Sequence, residues 1–284
     1  MQYVDVFVAP QVIDELMKKG VVHHPVDNMA SNQPVIVRNN TNPKLSILAK
    51  YRRAKLYTFK LDPFYTFEPK NKEQQYIWDA CWDPEILMII SSGGAGTGKT
   101  FPAVAYGLYE ILENKSKRYE GLTIVKPNAK VGDTLGFVKG DLDTKMDPIM
   151  QSFYDPIRKV VKHNSIIDMM KSRGILEVMP IEYARGRTIE NRIVIFDEFQ
   201  NTDYHESRTL LSRLVESCKV FILGDETQRD RRLPTGSQDG LMITRGALLG
   251  EDWIAGIRMD NEKNLRGIIS KTVLQKWSQF QPKN

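Results

Sequence analysis

Apolar and polar positions follow two different rhythms along this chain. Over residues 1–67 the apolar runs are short: 4–8, 34–38 and 55–60 read as strands, and 13–19 as one short helix. The turn-rich stretches HHPVDNMASNQP and NNTNPK separate them. LDPFYTFEPK, with two prolines among its aromatics, reads as an extended connector that closes a small β-rich N-terminal appendage. From residue 70 onward strands alternate with helices. Runs at 85–91, 122–125, 174–179, 193–196, 219–223 and 253–259 are strand-like, and 99–112, 144–163, 204–217 and 262–280 have helical spacing. That alternation predicts an α/β fold with a mainly parallel sheet over residues 68–284, behind the appendage at 1–67.

The 284 residues suffice for one full α/β domain with a sizeable core and an appendage. A formal charge of +5 permits a polyanionic partner without demanding one. Cys81 and Cys218 form no C-x-x-C pair, which argues against zinc or a disulfide and for buried apolar thiols. No apolar run reaches membrane-spanning length, and MQYVDVFVAP is not a basic-then-apolar leader, so a cytoplasmic protein is expected.

The sharpest chemistry is GGAGTGKT, from Gly93 through Gly94, Ala95, Gly96, Thr97, Gly98 and Lys99 to Thr100, with Phe101 next. It follows an apolar strand directly and opens a helix, the setting in which G-x-x-x-x-G-K-S/T wraps phosphates. Several backbone N–H groups must converge on a phosphate chain, and side chains at the glycine positions would block the approach. Lys99 then supplies a cation for the β- and γ-phosphates, and the Thr100 hydroxyl a ligand for Mg²⁺. The run 193–196 leads straight into Asp197 and Glu198. Carboxylates at the end of a buried strand sit where open α/β sheets bind ligands. Asp197 could hold Mg²⁺ through water and Glu198 orient the attacking water, unless the pair merely opens a helix. The strand at 219–223 leads into GDETQ, placing Asp225 and Gln228 at another strand end. A neutral amide there could sense the γ-phosphate without neutralising the metal.

Five segments together resemble the PhoH-like ATPases, relatives of the superfamily 1 helicases. They are EPKNKEQQYIWDA at 68–80, the glycine loop at 93–100, KPNAKVGDTLGFVKGDLDTKMDPIMQSFYD at 126–155, ARGRTIENRIVIFDEFQNT at 184–202 and GDETQRD at 224–230. Order and spacing hold from about residue 68 to 276. The resemblance implies a RecA-like P-loop core, ATP hydrolysis with Mg²⁺ and a link to RNA or DNA unwinding. Gln74 matches the family's glutamine ahead of the loop, which in helicases reads the adenine edge. Arg185–Arg187 matches an RGRT element, and Arg266 an arginine that could act as a finger. VIDELMKKG, NQPVIVRN and LSILAKY are similar to the segment that joins a PIN nuclease domain to the ATPase in two-domain relatives. The acidic set of that nuclease does not precede the loop here, so RNase activity is not expected. Compact forms of this kind occur in bacteria and phages, and a phage origin is the expectation.

About fifty residues follow GDETQ, too few for a second RecA-like domain, so the cleft is expected to close against another copy of the chain. Head-to-tail contacts that close make rings, and a hexamer with an arginine supplied in trans is the expectation. Basic residues recur from Lys126 to Arg192 among interspersed acids. Gly132, Phe137 and Lys139 follow the second strand of the sheet, where an aromatic beside a lysine suits a single strand of RNA or DNA. A small-molecule phosphotransferase and a slow nucleotide-gated switch or assembly factor remain as alternatives.

Overall fold

The computed structural model describes residues 1–61, 67–114, 117–127, 156–161, 163–228 and 237–259, with Tyr154 and Thr272. The N-terminal sheet has five strands: β1 (Val4–Val8), β2 (Val21–His23), β3 (Gln33–Asn39), β4 (Ser46–Arg52) and β5 (Lys55–Thr58), in the order β1-β3-β4-β5-β2. β1 runs parallel to β3, and the other pairs are antiparallel. Helix α1 (Pro10–Lys19) starts with proline in its first turn, where no N–H is missed, and stops at Gly20 in the left-handed conformation. Its Ile13 and Leu16 bury against Val6, Val8, Val35, Val37 and Leu56 of the sheet.

The second sheet holds six strands: β6 (Met88–Ser92), β7 (Gly121–Lys126), β8 (Leu176–Pro180), β9 (Arg192–Phe196), β10 (Lys219–Gly224) and β11 (Ile254–Arg258). Every pair is parallel, in the order β11-β6-β10-β9-β7-β8. Period-2 alternation sorts their apolar residues onto two faces. Ile89, Ile193, Ile195 and Phe221 join one core with Trp78 and Tyr106, whereas Ile90, Val194, Phe196 and Ile222 join the other with Leu210 and Leu241. Both faces are covered, so these strands read as continuous apolar runs. The covering helices are α2 (Lys72–Trp82), α3 (Thr100–Leu112), α4 (Asn164–Ser172), α5 (Ile181–Ala184), α6 (Tyr204–Leu211) and α7 (Gly240–Leu248).

The helix expected over 204–217 ends at Leu211. The chain leaves the helix so that Leu214 can form a parallel β-bridge with Ile189, supported by the Ile189 N–H on the Arg213 carbonyl at 3.0 Å. Of the helix expected over 144–163, residues 156–161 are helical, and residues 144–153 lie outside the described set. The helix expected over 262–280, Arg266 included, lies outside it apart from Thr272.

The two sheets meet through buried polar contacts. Lys50 of β4 donates to Asp79 and Asp83 of the α2 region at 2.7 Å each, with all three side chains less than a tenth exposed. Burial is the largest influence on Asp79 and raises its carboxyl pKa against the pull of Lys50. Asn32 donates to the carbonyls of Asp252 and Ile254 at 2.8 and 3.0 Å. Buried Lys219 of β10 donates to the carbonyls of Ala80, Asp83 and Ile86, closing the C-terminal end of α2. Burial lowers its ammonium pKa to about 8.

Candidate active site

The glycine loop leaves β6 at Ser92 and enters the 13-residue α3 at Thr100. The main chain is pinned at its start: Gly93 N–H donates to Gly224 O at 3.1 Å, and Met259 N–H to Ser92 O at 2.7 Å. A Cβ on Gly93 would stand 2.7 Å from the Met259 Cβ, and its φ is +151°, so the position demands glycine twice over. Gly96 and Gly98 have φ of +81° and +87°, the left-handed values that fold the loop back over the helix N-terminus. Buried Thr97 fixes the bend by donating its hydroxyl to Gly94 O at 2.8 Å. The Lys99 ammonium lies over the loop on the carbonyls of Gly93 and Gly94, the latter at 2.8 Å.

Gln74 sits in the first turn of α2, which Asn71 caps by accepting from the Gln74 N–H at 2.8 Å. The side chain is buried, and both ends of its amide are engaged. Oε1 accepts from Lys70 N–H at 2.8 Å and Nε2 donates to Gly98 O at 3.1 Å, so Gln74 braces the loop.

Asp197 follows β9 directly and is buried. Burial is the largest influence on its pKa, the charge of Glu198 adds to it, and Lys126 and Lys99 oppose both; the result is about 6. Lys126, at the end of β7, lies 3.6 Å from Asp197 Oδ2. The strands that lead to Lys99 and to Asp197, β6 and β9, are parallel and separated only by β10, so the glycine loop and the acidic pair leave the same edge of the sheet. Glu198 stands at the N-cap of the short 3-10 turn Phe199–Asn201 without a side-chain cap bond, and the next full helix, α6, is capped by Asp203, which forms a capping box with Glu206. Glu198 instead has φ 53° and ψ 39°, left-handed for a residue with a side chain.

β10, the strand leading to GDETQ, lies between the loop strand β6 and the acidic strand β9. Its Asp225 is buried and accepts from the Thr227 N–H and hydroxyl through one oxygen, while the other oxygen has no hydrogen-bond partner among the described residues. Gln228 closes the turn onto Asp225 O at 3.3 Å and is exposed. Glu226 pairs with Arg245 of α7.

Other expected residues fall elsewhere. Arg185 pairs with Glu206 and so ties α5 to α6, and Arg187 lies 3.6 Å from Glu177. Gly132, Phe137, Lys139 and Arg266 lie outside the described residues. Two groups at the site were given no part in the phosphate chemistry from the sequence, although Lys126 opens the resembling segment at 126–155 and Gln200 stands in the one at 184–202, two positions after Glu198. Cys81 and Cys218 are buried free thiols, as their surroundings predicted.

An all-parallel sheet that delivers a glycine-wrapped helix start, an acidic pair with its Asp197 buried, and a polar turn to one edge defines a RecA-like P-loop fold. Within that class the chain belongs to the PhoH-like protein family, whose profile matches residues 66–278. It is similar to a PhoH-like protein of Synechocystis sp., 36% identical over 74% of this chain and 58% of that one. A PhoH-like protein of Bacillus subtilis is 34% identical over 66% of this chain and 57% of its own length. Protein PhoH2 of Thermobispora bispora is 34% identical over 67% of this chain and 43% of its own. The chain thus spans less than two thirds of the length of these relatives. Among solved structures, a Pif1 helicase from Candida albicans aligns with 69% of this chain and 42% of that one, at TM-score 0.33 and 15% identity, too distant to bear on function. Among the described residues no helix is long and apolar enough to cross a membrane.

Proposed function

We propose that the chain hydrolyses ATP with Mg²⁺ at this edge and couples the cycle to a single strand of RNA or DNA. The observation that supports the reading is the parallel order β6-β10-β9, which puts the glycine loop, the GDETQ turn and the Asp197–Glu198 pair at the same edge of the sheet. In this reading the Lys99 ammonium exchanges the Gly93 and Gly94 carbonyls for the β- and γ-phosphate oxygens. The N–H groups from Gly94 to Phe101 cradle the phosphate chain at the start of α3. Glu198 orients the attacking water and accepts its proton, and Gln228 senses the γ-phosphate. The donor set suits magnesium: the Thr100 hydroxyl, buried Asp197 and the unpartnered Asp225 oxygen are hard oxygen ligands. Among the described residues no three His, Cys, Asp or Glu side chains cluster, so water and phosphate oxygens would complete the shell. The ion would neutralise charge on the β- and γ-phosphates.

A ring, with six copies as the first expectation and Arg266 reaching the neighbour's phosphate, extends this reading. Mixing Lys99→Ala with Arg266→Ala chains tests it, because shared sites regain activity in mixed assemblies and separate sites do not. The broader test is ATP turnover with and without single-stranded RNA and DNA. Stimulation by either supports the coupled ATPase. A phosphorylated small product would indicate a phosphotransferase, and slow turnover indifferent to polynucleotide a nucleotide-gated switch. Lys99→Ala should lose nucleotide binding, and Glu198→Gln should bind ATP but turn it over at least about 100-fold more slowly. Normal hydrolysis by Glu198→Gln would place the base elsewhere.

A further inference from the structure

The acid assigned as the base has an unfavourable main-chain conformation, and one buried side chain is bonded to its carboxylate. Glu198 takes left-handed dihedrals, which residues with a Cβ adopt only when their surroundings impose them. The next turn, Phe199–Asn201, places Gln200 almost wholly out of solvent, 1% exposed. Its Nε2 donates to Glu198 Oε2 at 2.6 Å, and its Oε1 accepts from the Asp225 N–H at 3.0 Å. The partners fix which way the amide faces, because a main-chain N–H can only donate and an ionised carboxylate can only accept. Glutamine offers both functions side by side, whereas glutamate would set a second carboxylate against Glu198.

The surroundings are shaped for this amide. A Cβ on Gly224, the last residue of β10, would stand 2.6 Å from Gln200 Oε1 and 2.8 Å from Leu241 Cδ2. Glycine at that position leaves the space the amide occupies. The turn is locked from below by the Thr202 hydroxyl on Phe199 O at 2.7 Å and the Gly240 N–H on Thr202 O at 2.8 Å.

We infer that Gln200 is a positioning residue: it aims the Glu198 carboxylate and ties that aim to the main chain of Asp225, where the turn bearing Gln228 begins. A shift of that turn on loss of the γ-phosphate then reaches the base through a single side chain. The inference rests on the reading of Glu198 as the base.

The test uses the full chain with Gln200→Ala, Gln200→Glu, Gly224→Ala and Glu198→Gln. It measures steady-state ATP turnover, equilibrium binding of a fluorescent ATP analogue, and thermal unfolding. Gln200→Ala should lower kcat by about 10- to 100-fold with analogue affinity within about twofold. Gln200→Glu should be the slower of the two, although it keeps the length of the side chain and an acceptor for Asp225. A merely structural role predicts the opposite order, with Gln200→Glu nearer the original. Gly224→Ala, which displaces the amide without removing it, should lose kcat as Gln200→Ala does, and it carries the test if Gln200→Ala does not fold. Folded Gln200→Ala and Gly224→Ala chains with unchanged kcat, beside a slow Glu198→Gln, overturn the positioning role alone. A fully active Glu198→Gln overturns the assignment of the base and the positioning role with it.

Discussion

In the proposed cycle, stability and chemistry make opposite demands on Asp197. Burial and the neighbouring Glu198 raise its pKa from 3.8 to about 6. A carboxyl whose folded pKa exceeds its unfolded value contributes stability that is complete below about pH 4 and is lost as pH rises through 6. At neutral pH its ionised form is therefore a cost to the nucleotide-free fold. Asp197→Asn should stabilise that fold at pH 7 by up to about 3 kcal/mol and leave it nearly unchanged at pH 4. Urea unfolding at the two pH values checks this, and an equal gain at both would assign the effect to packing. Hydrolysis should fall sharply in the same variant. The sequence placed Asp197 and Glu198 at a strand end, but not the left-handed backbone of Glu198 or its tie to Gln200. Those depend on the approach of Asp225, 25 positions on from Gln200.

At the scale of elements, α2 links the appendage to the glycine loop. Its Asn71 cap is local, and Asn71→Ala should lower global stability by about 1 kcal/mol, read by chemical denaturation. Gln74 acts at longer range through Gly98 O. Gln74→Ala should therefore weaken ATP and GTP binding alike, as measured by titration; a loss confined to ATP would assign its amide to the adenine edge. Strands buried on both faces were legible as apolar runs, and their observed bounds lie close to those expected. β4 was not among the expected strands; its charged Lys50 and Arg52 are buried because Asp79 and Asp83 are brought against them. The early end of α6 is likewise tertiary, set by the bridge of Leu214 to Ile189.

At the scale of the whole molecule, the appendage shares buried bonds with the parallel-sheet domain. Lys50→Ala would leave the Asp79 and Asp83 carboxylates without their buried ammonium partner. It should destabilise the protein by about 3–5 kcal/mol while one cooperative unfolding transition persists. Calorimetry resolving two transitions in the unmodified protein would mean that the appendage folds separately.

Taken alone, the amino-acid sequence determined the α/β class, the glycine loop, the acidic strand end and the family, because periodicity and short motifs are local properties of a chain. Tertiary structure alone decided that β10 lies between β6 and β9, that Gln74 braces the loop, and that Gln200 joins Glu198 to Asp225. Such bonds form only where packing brings distant donors and acceptors within about 3 Å, and neither composition nor spacing encodes that approach.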